Sequence, residues 1–275
     1  MSALILPSKK RLYPDPFIKP VHGTRGPCAL CGHYSDLTLN HVPPESVGNF
    51  DRWNAKSYMT SSTANPGLIF GRGFPNGLSF RTLCRDCNCR LGGNEDKAIG
   101  DFFGRVRKTV ESPIIIEGII KITAKPNQLY KGLLAHLVSA NDNSVPSAFD
   151  LEARELFFGR KSLNLSSWSL FYWLYTGPEI FVMRHAYFAI WHPTVKLIDM
   201  VVLKLYPLAF MFVRWPWFGG LPDMRFFLRS RDDEETEIPI NMHFQESNAH
   251  WPAVPDPNSV IFLGGNSFGI VGQRD

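Results

Sequence analysis

The sequence predicts an α+β protein with a metal-stapled N-terminal module followed by a mainly β region. Three observations predict this architecture. Two cysteine pairs lie in the first third of the chain, helical and strand-like patterns alternate between residues 94 and 158, and short apolar runs separated by Gly and Pro follow residue 162. With 275 residues, 44% of them hydrophobic, the chain is long enough for one large or two ordinary domains. We expect the two parts to be 1–110 and 111–275.

Four of the five cysteines form two pairs in which two residues separate the thiols. Cys28 and Cys31 form the first pair, Cys84 and Cys87 form the second, and Cys89 stands apart. Two such pairs supply the four thiolates of a tetrahedral zinc site. Buried core thiols and a redox pair are the alternatives, but a redox motif needs only one pair. We therefore predict a structural Zn²⁺, whose four protein ligands leave no open position for catalysis.

The residues around these pairs resemble those of the HNH endonucleases. Asn40-His41-Val-Pro-Pro-Glu45 lies between the pairs, and Leu83-Cys84-x-x-Cys87-Asn88 is followed by Gly92-Gly93. This order is similar to the branch of the family whose signature reads Glu-His-Val/Ile-Pro-Pro and then Cys-x-x-Cys-Asn. The resemblance covers roughly residues 1–110. It implies a ββα-metal (HNH) fold, in which a β-hairpin and a helix hold one divalent ion against a phosphodiester.

The resemblance also implies a role for each matching residue. His41 matches the general base that takes a proton from the attacking water, which a neutral imidazole can do near neutral pH. Asn40 and Asn88 match ligands of the catalytic ion, Mg²⁺ or Mn²⁺, and Asp96, two turns further along the predicted helix, would supply a carboxylate. Asn40 stands where the family usually has Asp or Glu. A zinc-containing module that binds nucleic acid without cutting it is therefore an alternative.

The reaction implied by the resemblance is hydrolysis of phosphodiester bonds in DNA, with RNA as the alternative substrate, in a setting such as restriction or phage defence. A homodimer or a partner protein is a further expectation. The net charge of +4 does not by itself argue for nucleic acid. Four basic residues are candidate nucleic-acid contacts: Arg72, Arg81, Arg105 and Lys108. A structural or interaction protein, with zinc stabilising a small subdomain, remains the other alternative.

The N-terminal residues, the cysteines and the apolar runs indicate where in the cell the protein is expected. The basic triplet at 9–11 follows the short apolar stretch at 3–6 instead of preceding a longer one, so we expect no secretory signal. Cysteines arranged as metal ligands suit a reducing cytosol, and we expect a cytoplasmic protein. The most apolar stretch, 197–213, contains Asp199 and Lys204, so we do not predict a membrane span or a membrane partner.

The remaining helices, strands and loops are predicted from the spacing of apolar residues and from the positions of Gly and Pro. Residues 41–84 are rich in Ser, Asn, Gly and Pro and predict a long loop, and 231–237 is a charged run that predicts an exposed loop. Helices are predicted from 94 to the break at 112, over 127–141 and over 151–158. His136 lies among leucines of the second helix and is expected to be a packed residue instead of a ligand. Apolar runs predict strands at 114–124, 168–175, 180–191, 197–205, 208–213, 224–228 and 260–263.

Overall fold

The computed structural model describes residues 13–14, 23–58, 69–114, 118–140, 145–191, 195–215, 220–247 and 261–274. Strands and helices are mixed along this part of the chain, which confirms the predicted α+β class. The basic triplet at 9–11 lies outside the described residues.

The elements follow one another in this order. The strands are β1 (Tyr13–Pro14), β2 (Arg25–Pro27), β3 (Tyr34–His41), β4 (Trp53–Ser57), β5 (Ile69–Phe70), β6 (Arg72–Phe74), β7 (Ser79–Cys84), β8 (Ile119–Ala124), β9 (Ser169–Tyr175), β10 (Ile180–Trp191), β11 (Val195–Leu205), β12 (Leu208–Val213), β13 (Thr236–Asn241), β14 (Gln245–Glu246) and β15 (Ile261–Arg274). The α-helices are α1 (Arg85–Gly93), α2 (Glu95–Val110), α3 (Pro126–Ser139) and α4 (Ala148–Phe157). Short 3-10 helices cover Glu45–Val47, Leu163–Leu165 and Met224–Phe227.

A small three-stranded sheet carries the cysteine pairs. Its central strand β3 is antiparallel to both β2 and β7, and α1 begins directly after β7. Helix α2 follows after one residue, Asn94. The five apolar residues of its predicted buried face are all buried, which confirms that helix: Ala98, Ile99, Phe102, Phe103 and Val106. The β3–β7–α1 unit contains Asn40, His41, Cys84, Cys87 and Asn88, whereas Cys28 and Cys31 lie in the turn before β3 and Asp96 lies on α2.

The segment between His41 and β7 was expected to be a loop, and the described part of it contains strands. β4 and β6 pair with each other, and β4 also pairs with β15 from the other end of the chain. They extend an eight-stranded sheet of order β14-β9-β12-β11-β10-β15-β4-β6. One sheet therefore contains strands from both sides of residue 110.

Strands β9 and β12 of the large sheet are buried on both faces. Along β9, Leu170, Tyr172 and Leu174 belong to the core that contains the helices, whereas Phe171 and Trp173 belong to a second core. Successive residues of a strand point to opposite faces, so a strand covered on both sides is apolar throughout. This explains why the sequence shows continuous apolar runs here in place of alternation. The predicted bounds of β10 and β12 match the structure.

One prediction in the C-terminal region is wrong, and another is correct only for residues 231–235. The run 224–228 forms a 3-10 helix in place of a strand, because the Asp223 carboxylate accepts the backbone N–H of Arg225 at 3.0 Å and caps the turn. The charged run 231–237 ends in strand β13, which pairs with β8. Only Ile238 and Ile240 of β13 are buried, so its apolar signal is short.

Among the described residues, no helix is both long and apolar enough to cross a membrane.

We expect the stability of the protein to depend on pH through Lys204. It is fully buried on β11, with its Nζ 5.1 to 5.9 Å from the ring centres of Phe181, Tyr175 and Trp173. Burial lowers its pKa from the usual 10.5 to about 7, although the nearby carboxylates of Glu246 and Glu179 oppose the shift. Between these pH values the unfolded chain binds a proton that the folded chain does not. Stability should therefore rise with pH across this window, by up to about 1.4 kcal/mol per pH unit from this residue.

Replacement of Lys204 by Met tests this account. Lys204→Met should raise the free energy of unfolding near pH 7 and flatten its rise between pH 7 and 10.5, as measured by urea denaturation at several pH values. Exposed Lys121, whose ion pair with Glu237 lies on the surface, is the control, and Lys121→Met should leave the slope unchanged. An unchanged slope in Lys204→Met would contradict the assignment.

A buried ion pair joins α4 to the large sheet. The side chains of Asp150 and Arg184 are each only 2% exposed, and the carboxylate of Asp150 accepts a hydrogen bond from the Arg184 guanidinium. The same carboxylate caps α4 through Ser147. Asp150→Ala should cost about 3–5 kcal/mol in the free energy of unfolding, because it leaves a buried guanidinium without its carboxylate. Glu237→Ala, which breaks an exposed pair, should cost less than about 1 kcal/mol in the same denaturation experiment.

Candidate metal centre and catalytic site

The four predicted cysteines meet at one point. Cys28 and Cys31 lie in the turn between β2 and β3, Cys84 ends β7, and Cys87 lies in the first turn of α1. Their four Sγ atoms all lie within 4.8 Å of one another, so they could hold a metal ion. A tetrahedron with Zn–S bonds of about 2.3 Å has S···S edges of about 3.8 Å. The Sγ atoms of Cys31 and Cys84 are 3.9 Å apart, which fits zinc.

Two backbone N–H groups donate hydrogen bonds to sulfur atoms of this cluster, and such bonds favour the thiolate form of a cysteine. The N–H of Cys84 donates to Cys28 Sγ at 3.3 Å, and the N–H of Cys87 donates to Cys84 Sγ at 3.5 Å. A hydrogen bond from the Cys87 thiol lowers the pKa of Cys28 to about 4, and the same bond raises the pKa of Cys87. Gly32 closes the first turn at a φ of 78°, with its N–H donating to Cys28 O. Among the described residues this is the one group of three or more Cys, His, Asp or Glu side chains close enough to share an ion.

His41 is the last residue of β3 and is held at the surface of the module. Its Nε2 lies 2.6 Å from the backbone oxygen of Asn76. A carbonyl oxygen only accepts, so Nε2 carries the proton and Nδ1 keeps its lone pair. Gly77 packs against the ring, at a φ of 87°, and an added Cβ would lie 2.8 Å from His41 Cδ2. In a neutral His41 ring the basic atom is therefore Nδ1.

Asn49, which no motif in the sequence selects, holds the segment that follows His41. Its buried amide donates to Pro43 O at 2.6 Å and to Leu78 O at 2.9 Å, and its Oδ1 accepts from Leu78 N at 2.8 Å. These bonds join the segment after β3 to the segment before β7. An asparagine in a Gly-rich and Pro-rich region carries no recognisable signal of this role.

Asn40 points inward, to α3. Only 4% of the residue is exposed, and its Nδ2 lies 2.7 Å from Ser139 Oγ and 3.5 Å from His136 Nδ1. His136 Nε2 in turn lies 2.6 Å from Asp96 Oδ1. The predicted ligands Asn40 and Asp96 are thus brought to the two sides of one imidazole. His136 is fully buried, as expected of a packed residue, but it also bonds to both of them.

The Asn88 side chain links α1 to β3 through two hydrogen bonds. Its Nδ2 donates to Thr38 Oγ1 at 3.1 Å and to Leu39 O at 2.9 Å, next to Asn40 in the same strand. The amide hydrogens are both used, and the carbonyl oxygen Oδ1 accepts no hydrogen bond from any described residue. Asn88 therefore has a structural role that can coexist with the predicted ligand role.

The predicted base and the predicted ligands use different faces of β3. Asn40 and His41 are consecutive, so their side chains leave the strand in different directions. Asn40 joins Asp96 through His136, whereas His41 contacts the turn at Asn76. No hydrogen bond or ion pair between described residues links His41 directly to Asn40, Asn88 or Asp96.

The four predicted phosphate contacts are spread over the surface. Arg81 donates from Nη1 to Leu37 O at 2.9 Å, and Arg105 donates from Nη1 to Thr123 O at 3.1 Å. Arg72 lies over the ring of Phe74 at 5.3 Å, and Lys108 is exposed on α2. Arg105 follows Asp96 by nine positions, which is about two and a half helical turns and roughly 14 Å along the axis, so the two side chains leave opposite sides of α2. Arg105 therefore does not share a face with Asp96.

Comparison of the chain with protein-family models, curated proteins and solved structures found no match.

Proposed function

We propose that this chain is a metal-dependent endonuclease of the HNH type that hydrolyses phosphodiester bonds of DNA. The observation that carries the proposal is the state of His41, whose Nε2–H is bound by Asn76 O and whose Nδ1 keeps its lone pair. The antiparallel β3–β7 pair followed by α1, closed by four cysteines, supports the same proposal.

His41 would act as the general base. Its Nδ1 takes a proton from the water that attacks phosphorus, while the Asn76 carbonyl holds the ring and stabilises the imidazolium that forms. General-base catalysis of this kind contributes about 10²–10⁴ in rate. The four-cysteine site would hold zinc and keep β3 and α1 in place, without a part in the chemistry.

The catalytic ion would be Mg²⁺ or Mn²⁺, held by side-chain oxygens. Asn40 Oδ1, Asn88 Oδ1 and Asp96 Oδ2 accept no hydrogen bond from any described residue, and each belongs to a side chain fixed by its other atoms. Hard divalent ions take oxygen ligands of this kind and keep several waters. When bound, such an ion supplies Lewis-acid stabilisation of the charge that develops on the phosphate.

A second function, nucleic-acid binding without cleavage, is favoured by Asn40. Its amide is uncharged and only 4% of the residue is exposed, which weakens a site for a hydrated cation. A protein without a catalytic ion would still have the module that the four cysteines hold together, and its basic residues would contact the phosphates of a nucleic acid.

One experiment separates these functions. Zinc-loaded protein should be incubated with plasmid DNA, single-stranded DNA and RNA, with Mg²⁺, with Mn²⁺ or with neither. Nicking or linearisation that requires the added ion supports the nuclease. Binding without cleavage, with an affinity that falls steeply between two salt concentrations, favours the binding module. Neither cleavage nor salt-dependent binding favours a structural or interaction protein.

A further inference from the structure

Arg274 on β15 has a guanidinium group that two neighbours hold in place. Its Nε lies 3.3 Å from Asp51 Oδ2, and its Cζ lies 5.1 Å from the centre of the Trp53 ring. Trp53 is fully buried and pairs directly with Arg274 in the β15–β4 ladder. The Arg274 side chain is nevertheless 55% exposed, and its two Nη groups make no hydrogen bond to any described residue. Two N–H-bearing nitrogens of an oriented guanidinium are therefore left for a ligand.

The carboxylate that binds Arg274 belongs to a segment in contact with the turn at His41. The backbone N–H of Gly77 donates to Asp51 O at 2.9 Å. The same glycine packs against the imidazole, since an added Cβ would lie 2.8 Å from His41 Cδ2. Taken end to end, these contacts and the bonds between them limit the distance from the imidazole to Arg274 Nε to about 16 Å, the length of about five base pairs of B-DNA. A short stretch of one duplex is therefore long enough to reach both residues.

The β15–β4–β6 ladder places a second arginine on the same face of the sheet. Trp53 pairs with both Arg274 and Phe74, and Ala55 pairs with Arg72. Paired residues, and residues two apart in one strand, point to the same face, so both arginines leave the face on which Trp53 is buried. Two strand spacings of about 4.8 Å separate β15 from β6. Two arginines therefore lie at this end of the sheet, next to the segment that contains Asp51.

Arg160 has the same local arrangement in another part of the protein. Its side chain is 55% exposed, its guanidinium binds the Glu155 carboxylate, and its Cζ lies 5.0 Å from the centre of an aromatic ring. It follows α4, which bonds to the cysteine turn before β3, whereas His41 ends that strand. Exposed ion pairs of this kind contribute little to stability. What distinguishes Arg274 is its place beside the turn at His41.

We propose that Arg274 is a phosphate-binding residue, which holds a backbone phosphate of the DNA within about five base pairs of the bond that is cleaved. The inference rests on the proposed function, because it concerns the same substrate. The Nη groups match the two free oxygens of a phosphodiester, and Trp53 and Asp51 orient them before binding, so little side-chain entropy is lost. Strand β15, which lies beyond residue 110, would then take part in substrate binding.

The salt dependence of DNA binding tests the inference without any need for cleavage. Zinc-loaded protein is titrated into a labelled duplex of roughly 20 base pairs without added divalent ion, and the affinity is measured by fluorescence anisotropy at several salt concentrations. Arg274→Ala should weaken binding about tenfold at low salt and reduce the slope of log K against log salt by about 0.9. Arg274→Lys keeps the charge and should keep the slope. Arg160→Ala, the matched control, should change neither quantity.

Asp51→Ala breaks the same ion pair and separates phosphate binding from a structural role. If the pair only joins β15 to the neighbouring segment, Arg274→Ala and Asp51→Ala should both melt at a lower temperature and keep the wild-type slope. If Arg274 binds phosphate, the slope should fall only in Arg274→Ala, because Asp51→Ala keeps the arginine and removes a competing carboxylate. An unchanged slope in Arg274→Ala overturns the inference while the nuclease stands.

The remaining outcomes also distinguish the two proposals. A wild-type protein that binds the duplex, has a smaller slope in Arg274→Ala and never cleaves with Mg²⁺ or Mn²⁺ supports the phosphate contact and refutes the nuclease. An equal loss of slope in Arg160→Ala overturns the contact, because the effect then follows net charge instead of position. A zinc-loaded wild type with no salt-dependent affinity for DNA overturns it as well, because there is then no phosphate for Arg274 to hold.

Discussion

Cys87→Ser should lose the bound metal and unfold the module built on β3, β7 and α1. Binding of a structural zinc to four thiolates is coupled to folding by about 10–16 kcal/mol, which is as large as the whole stability of an ordinary domain. Serine does not replace a thiolate as a zinc ligand, and Cys87 is only 5% exposed, so no other ligand can enter easily. We expect less than one zinc per chain by elemental analysis and a melting temperature lower by more than about 10 °C.

The same helix supplies the control for this prediction. Cys89 lies two residues further along α1, is exposed, and does not belong to the four-cysteine cluster. Cys89→Ser should therefore keep one zinc per chain and melt within about 2 °C of wild type. Amide hydrogen exchange should show that Cys87→Ser loses protection in residues 34–41 and 79–93 before β9 to β12. A Cys87→Ser protein with a full zinc complement and an unchanged melting temperature would refute the structural metal site.

The parts of this fold that sequence predicts are those with a local cause. The apolar residues of α2 recur every three or four positions because one face of the helix is buried, and that face was predicted correctly. β12 is an apolar run that contains two phenylalanines, and its bounds follow from Pro207 and Arg214 on its two sides. The four cysteines were identified for the same reason, since each pair places two thiols in one turn.

The parts that sequence does not predict depend on distant partners. β4 is five residues long and becomes a strand by pairing with β15, at the other end of the chain. Nothing within residues 53–57 encodes that partner. The candidate ion ligands show the same limit, because the resemblance selects Asn40 and Asp96 but their link runs through His136 on α3. His136 and Ser139, three positions apart on an apolar helix, were the available signal, since that spacing places both on one face.

His41→Ala should reduce cleavage of DNA by about 10²–10⁴-fold at saturating Mg²⁺, because no other described group occupies the place of Nδ1 as base. The rate constant should be measured in single-turnover cleavage of a labelled duplex, so that binding and product release do not mask the chemical step. Affinity for DNA in the absence of added Mg²⁺ should stay within about threefold of wild type, because the role proposed for the imidazole is that of a base and not of a phosphate contact.

The variant His41→Gln separates the base from the hydrogen bond that holds it. A glutamine amide can still donate to Asn76 O, which keeps the β3 terminus attached to the turn at Gly77, but it has no atom that takes a proton at neutral pH. Both His41 variants should therefore be inactive, and His41→Gln should melt closer to wild type than His41→Ala does. Exposed His33, in the loop that precedes β3, supplies a histidine control whose replacement by Ala should leave the rate unchanged. Cleavage by His41→Gln at the wild-type rate would exclude His41 as the base and leave its bond to Asn76 as a structural one.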